Sequence, residues 1–173
     1  MFGRNLRVAV ALGLAGAMIL SARGIRTHVL LRNDVRAETV EATGAIPWLA
    51  GTRAAVDEFD VVLEAAGTPS GVQAALAYAA PGARVALLGV PTEPVEIDVG
   101  ALVIHDITVK GVLNGPGQYP SGLAAIASGE VKPELLIDRV YAFDEIEAAV
   151  ARSREPGRTR PKVLVQVDPD APE

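Results

Sequence analysis

The residues Ala11-Leu-Gly13-Leu-Ala-Gly16 set two glycines three apart, where an apolar run gives way to a helical pattern. With Ala11 in the first place they have the spacing of the fingerprint G-x-G-x-x-G. The chemistry of that fingerprint is the close approach of backbone N–H groups to a pyrophosphate at the positive end of a helix. Small residues that let a helix lie close on a sheet would leave the same string. A second register is also open. If Gly13 is the last fingerprint glycine, heading a full-length helix that stops at Gly24, the two earlier positions fall on Val8 and Val10 and the phosphate loop is lost. Both registers end the next strand at Arg32. An acid there would accept hydrogen bonds from the ribose hydroxyls of NAD, whereas Arg32 and Asn33 offer a guanidinium and an amide suited to a 2′-phosphate. Arg36 lies one turn further on. A solvated charge at a strand end explains Arg32 equally well, and Asp34 reads either as a ribose ligand or as a helix cap.

The elements that must position these residues alternate between apolar strand-like runs and helical patterns, as in parallel β-α units. Strands are expected over residues 6–11, 27–31, 45–49, 60–64, 84–88 and 107–113. Helices are expected from the first glycines to Arg23, from an Asp34 cap to Thr43, and over 70–80 until Pro81-Gly82 breaks the pattern. Gly67, Gly89 and Asn114-Gly115 close the later strands. Near-continuous apolar strands belong to a sheet covered on both faces. A different pattern follows: a helix over 119–128, a connection over 132–137, a short strand over 138–143, a helix capped by Asp144 to Ser153, a last strand over 161–167, and a frayed acidic tail.

Composition excludes several classes. The chain has 173 residues, 50% of them apolar and 21% charged, enough to bury a core. A net charge of -5 and 4% aromatic residues argue against a nucleic-acid or anionic-membrane partner. There is no cysteine, so disulfides, thiolate catalysis and Cys-ligated zinc are out. His28 and His105 are the two histidines, far apart in the chain. Residues 8–20 carry no charge and follow Arg4 and Arg7; a run of this length is too short to span a bilayer. It fits a signal-peptide core with a poor cleavage site at Ser21-Ala22-Arg23, or a buried strand leading into a buried helix. The downstream β-α pattern favours the second, and with it a cytoplasmic protein.

Five segments together resemble the medium-chain dehydrogenase/reductase family, the zinc-type alcohol, polyol and glucose dehydrogenases. They are Asp60-Val-Val-Leu-Glu-Ala-Ala-Gly67, Val85-Ala-Leu-Leu-Gly-Val90, Ile107-Thr-Val-Lys-Gly-Val-Leu-Asn114, the stretch from Leu135 to Val150, and Pro161-Lys-Val-Leu-Val165. Each is weak alone; their order and spacing are fairly specific. The match is to the C-terminal half of the family. It implies a doubly wound, Rossmann-like parallel sheet of about six strands, with residues 1–130 as the dinucleotide-binding domain and 131–173 as a segment that returns to the catalytic domain.

The resemblance also implies a hydride-transferring oxidoreductase using NAD(P), with NADP favoured by Arg32 and Asn33 and NAD possible. The positions that would hold the nicotinamide carboxamide are Gly89, Val90, Val112 and Asn114, at the carboxyl ends of parallel strands where ligands bind such sheets. Gly67 is expected where the cofactor passes close to backbone, and Gly13 and Gly16 at the pyrophosphate. Asn114 reads equally as a turn residue. The zinc ligands and proton relay of the family come from an N-terminal domain that this chain does not contain. Glu64, His105 and Asp106 do not replace them, so no catalytic residue and no zinc are assigned. The expected protein binds a nicotinamide dinucleotide without turning over alone. The apolar face that includes Phe143, Ile146, Ala149 and Val150 would then meet a separate catalytic chain or a second copy. The other class in view is a non-catalytic α/β interaction module, or a degraded fragment that no longer binds cofactor. The substrate is not legible.

Overall fold

The computed structural model describes residues 7–51 and 59–168, with side chains from Ala11 onward. It divides into two compact units, one of Met1–Gly13 and Gly51–Leu123, the other of Leu14–Ala50 and Ala124–Glu173.

Helix α1 (Arg7–Ala22) opens the described chain. The strand expected over 6–11 is not formed: Arg7 to Ala11 are helical, and Leu6 lies outside the described residues. Alternating Val and Ala fit a strand period, but alanine fits a helix equally well and has the highest helix propensity. No turn residue separates Arg7 from Leu12. Leu14, Ala17 and Met18 are buried at helical spacing. The helix ends as expected at Gly24 (φ 74°), with Ile25 N–H donating to Leu20 O and Gly24 N–H to Ser21 O. This pair of bonds satisfies the last carbonyls.

Strand β1 (His28–Leu31) and strand β2 (Ile46–Leu49) pair in parallel, with His28 opposite Ile46. Helix α2 (Ala37–Ala42) connects them, preceded by a 3-10 turn over Asp34–Arg36. Asp34 therefore does not cap the helix. The tighter first turn shifts the cap position to Asn33, whose side chain makes no capping bond. Val40 and Ala45 are buried, and Trp48 packs edge-on to His28 at 6.0 Å between ring centroids.

The other unit holds strand β3 (Phe59–Glu64), helix α3 (Pro69–Ala77), strand β4 (Ala79–Leu87), helix α4 (Val99–Ile104) and strand β5 (Thr108–Gly111). The strands run parallel in the order β3-β4-β5. Pro81-Gly82 does not end a helix. It lies inside β4, where the register with β3 shifts between Phe59 and Val61 and a bulge takes up the extra residues. Helix α4 is not foreseen in the sequence; Asp98 begins it by accepting a bond from Ala101 N–H at 3.0 Å. The core is small-residue: Ala75, Ala79, Ala83 and Val85, with Val62, Leu76 and Val109 against them.

Thr68 caps α3 through its hydroxyl, which accepts from Gly71 N–H at 3.1 Å, and Pro69 occupies the first turn. Thr68→Ala is expected to lower stability by about 1 kcal/mol. Thermal unfolding followed by circular dichroism checks it, and an unchanged midpoint would remove the cap from the account.

Helix α5 (Tyr119–Ala127) leads to strand β6 (Ile137–Ala142), helix α6 (Ile146–Arg154) and strand β7 (Lys162–Gln166). β6 and β7 pair in parallel. The capping role expected of Asp144 is taken by its neighbour, because residues 143–145 form a 3-10 turn and Glu145 accepts from Ala142 N–H at 3.1 Å. Ala149 of α6 is buried, while Phe143, Ile146 and Val150 are exposed. The expected apolar stripe thus loses Ala149 to its own unit.

The α/β class and the parallel strands are as expected. Among the described residues up to 130 there are five strands in two parallel sheets, β1-β2 and β3-β4-β5, where about six were expected, and the two strands expected after them form the third sheet, β6-β7. Residues 169–173, the expected tail, lie outside the described residues. Among the described residues no helix is long and apolar enough to cross a membrane.

Candidate functional site

Parallel pairing sets the carboxyl ends of β3, β4 and β5 along one edge of their sheet. Leu88 and Gly89 N–H groups donate to Glu64 O at 2.8 and 3.1 Å, and Val112 N–H donates to Leu87 O at 2.9 Å. These bonds carry the ladder just past the strands and bring three short loops into line. The loops hold Gly67 after β3, Gly89 and Val90 after β4, and Val112 to Asn114 after β5.

Two of the loops touch. A Cβ at Gly89 would lie 2.2 Å from Gly67 N, and one at Gly67 (φ 61°) would lie 2.9 Å from Val90 N. Only glycine fits at either point. Beneath them is Glu64, 3% exposed, whose Oε1 accepts from Ala66 N–H at 2.7 Å and Gly67 N–H at 2.9 Å. Beside them Val90 and Leu113 are about three-quarters exposed, which makes an apolar rim at the strand ends. Asn114 (φ 53°) and Gly115 (φ 48°) are both left-handed, so the turn reading of Asn114 holds.

The structure therefore gathers Gly67, Gly89, Val90, Val112 and Asn114 at one edge. Arg32 and Asn33 lie in the other unit, exposed at the carboxyl end of β1. Gly13 and Gly16 are not in a loop. They lie inside α1, where backbone N–H groups are committed to carbonyls four residues back and cannot turn toward a phosphate. The register that reads 11–16 as a phosphate loop is overturned. A Cβ at Gly13 would meet Ala65 at an ordinary 3.9 Å, a packing contact.

Sequence reasoning treated Glu64 only as a poor metal ligand and missed its hold on the Gly67 loop. The available signal was an acid ending an apolar strand three residues before Gly67. His105 ends α4, and its carbonyl accepts from Gly82 N–H at 2.7 Å. Among the described residues no three His, Cys, Asp or Glu side chains are placed to hold a metal ion, so none of them fits the zinc that the family resemblance brings with it. A cleft of about 590 Å³ opens between α3 and α4, lined by Gln73, Leu76, Asp98 and Leu102. It lies toward the amino ends of β4 and β5, away from the glycine loops.

Residues 11–128 match the family model described as zinc-binding dehydrogenase. The chain belongs to this family. A sorbitol dehydrogenase of Bacillus subtilis (strain 168) is 29% identical over 107 residues, 61% of this chain and 30% of that protein. Among solved structures, glucose dehydrogenase of Haloferax mediterranei, crystallised with NADP, zinc and gluconolactone, aligns with a TM-score of 0.75 at 22% identity, over 91% of this chain and 48% of that one. A protein of Escherichia coli CFT073 described as a short chain alcohol dehydrogenase, crystallised with NADH, aligns with a TM-score of 0.80 at 22% identity, over 90% of this chain and 49% of that one. At that identity the likeness shows the fold. This chain of the zinc-binding dehydrogenase family spans about half the length of these structural relatives and less than a third of the curated relative.

Proposed function

We propose that this chain is the coenzyme half of an NAD(P)-dependent alcohol, polyol or glucose dehydrogenase, and that it takes part in hydride transfer only with a catalytic domain that brings the zinc. The observation that carries this reading is the alignment of Gly67, Gly89–Val90 and Val112–Asn114 at the carboxyl ends of three parallel strands. That edge is where parallel α/β sheets bind ligands. Main chain at this edge would meet the carboxamide, and the exposed Val90 and Leu113 would meet one face of the nicotinamide ring. The bound coenzyme would supply the hydride acceptor or donor; this chain's part is to bind and orient it.

Arg32 and Asn33 support NADP over NAD, since an exposed guanidinium at the end of β1 pairs with a 2′-phosphate. The helical course of α1 sets the strength. With no loop of free amides over 11–16, the described residues give the pyrophosphate no cradle there, and weak binding is expected. Calorimetric titration should give saturable heat with a Kd on the order of 1 mM for NADPH and about tenfold weaker for NADH. Arg32→Ala should erase the preference while leaving NADH unchanged. No heat with either coenzyme at millimolar concentration would overturn the binding reading.

The exposed stripe of Phe143, Ile146 and Val150 on α6 supports a partner chain, a separate catalytic domain or a second copy. Gel filtration at rising concentration tests it, and a monomer that stays soluble alone and mixed with a candidate catalytic chain counts against it. The burial of Leu14, Ala17 and Met18 in a packed helix supports a cytoplasmic protein.

A further inference from the structure

Glu64 is where two loops of the candidate site are tied to one residue. Its main-chain oxygen accepts from Leu88 and Gly89 N–H groups, and its Oε1 accepts from Ala66 and Gly67 N–H groups. The other oxygen, Oε2, is buried and makes no hydrogen bond. A Cβ at Gly89 would come within 2.7 Å of that Oε2, and one at Gly71 within 2.6 Å of Oε1. The carboxyl group is thus wedged between three glycines.

A buried carboxylate oxygen with no donor is costly. The bonds that Glu64 does make all end on the main chain that frames the candidate site. We infer that Glu64 is a positioning residue: its carboxylate fixes the Gly67 loop against Gly89–Val90 and so presets the main-chain edge that receives the nicotinamide end of the coenzyme. This rests on the coenzyme reading above and adds a residue to it. Two charge-assisted bonds from consecutive amides force the turn after β3 to close over the carboxyl group. Closing it there brings Gly67 onto Gly89. A preset edge binds without first spending free energy on ordering its loops.

The test compares Glu64→Gln, Glu64→Ala and Thr68→Ala in the whole chain. Gln keeps one acceptor for the Ala66 and Gly67 amides; Ala keeps none; Thr68→Ala weakens the neighbouring helix cap without touching Glu64. Coenzyme affinity is read with NADPH by calorimetry, and loop order by the amide proton shifts of Ala66 and Gly67 in the free protein. Glu64→Ala should weaken NADPH about tenfold, the scale on which outer partners of a ligand site act. Glu64→Gln should recover most of that loss, and Thr68→Ala should leave affinity unchanged despite its lower thermal midpoint. In the free protein the two amide signals should move upfield in Glu64→Ala. If Glu64→Ala does not fold, Glu64→Gln decides through the Ala66 and Gly67 amide signals, which should still move upfield, by less, because a neutral oxygen is the weaker acceptor. Equal affinity in wild type and Glu64→Ala, or amide shifts that ignore both substitutions, overturns the role of Glu64 while leaving the coenzyme reading in place. A wild-type chain that takes no NADPH overturns both.

Discussion

Gly89→Ala should cost about 3 kcal/mol or more of stability, the upper end of what overpacking does. The added Cβ would lie 2.2 Å from Gly67 N, 2.5 Å from Gly67 Cα and 2.7 Å from Glu64 Oε2. Two of these three atoms are main chain, so no change of rotamer relieves the clash. The main chain cannot retreat cheaply either. Gly89 N–H is bonded to Glu64 O, and the next residue of the loop already lies against Gly67. Moving Gly67 would break its bond to Glu64 Oε1. In a chain of this length the loss should lower the thermal midpoint by roughly 10 °C. Gly111→Ala is the control, because a Cβ there meets nothing within 4 Å and the residue has no positive φ. Gly111→Ala should unfold with wild type. A midpoint for Gly89→Ala within a degree or two of the control would mean that the two loops are not packed as described. The same substitution should also abolish NADPH binding, since it forces apart the main chain proposed to hold the ring.

What the sequence made legible, and what it did not, follows from how local each signal was. β3 could be read from Asp60-Val-Val-Leu because an apolar run flanked by turn residues needs no distant information. The C-terminal glycine of α1 could be read for the same reason. The start of α1 could not. Val8-Ala-Val-Ala11 satisfies a period of two, and only the absence of a turn residue before Gly13 argues for continuing one helix. The fingerprint spacing at 11–16 left two registers open, since it fixes glycine positions but not the strand that must precede them. Pro81-Gly82 read as a breaker because a bulge depends on the partner strand. α4 escaped because Val-Gly-Ala-Leu-Val-Ile looks like a strand, although Asp98 before it was a usable cap signal. The candidate site shows the same split. Gly67, Gly89 and Asn114 end strands and could be named from the sequence. The bonds that the Glu64 side chain accepts from Ala66 and Gly67 depend on it folding back over its own turn, and those that its main-chain oxygen accepts from Leu88 and Gly89 depend on the partner strand; no spacing states either.

Asp138→Asn should have the second large effect, and its dependence on pH tells the charge from the shape. Asp138 on β6 takes two bonds from Arg152 on α6, at 2.7 Å from Nε and 3.0 Å from Nη2. Arg158, almost fully buried, brings its Nη1 within 3.9 Å of the same carboxylate and donates to the main-chain oxygens of Ser153 and Pro161. Arg152 also bonds Glu155. The hydrogen bond from Arg152 holds the Asp138 carboxyl below its ordinary value of 3.8; burial opposes this, and the charges of Arg152, Arg158 and Arg139 add to it. Because the folded value lies below the unfolded one, this stabilisation is complete above about pH 4 and is lost as pH falls through the folded value. Asparagine keeps the shape but turns amide hydrogens toward two guanidinium groups. Breaking a fully buried pair costs about 3–5 kcal/mol, but Arg152 is one-third exposed, so about 2 kcal/mol is expected near neutrality. Thermal midpoints should differ by roughly 4–8 °C at pH 7. The gap should shrink steadily below pH 4 and close once Asp138 is protonated in the folded protein. Unfolding curves of the two proteins across pH 2 to 7 make the comparison. A gap that stays constant into acid would assign the loss to packing around Asp138, and the carboxylate would then no longer be what fastens α6 to the β6–β7 pair.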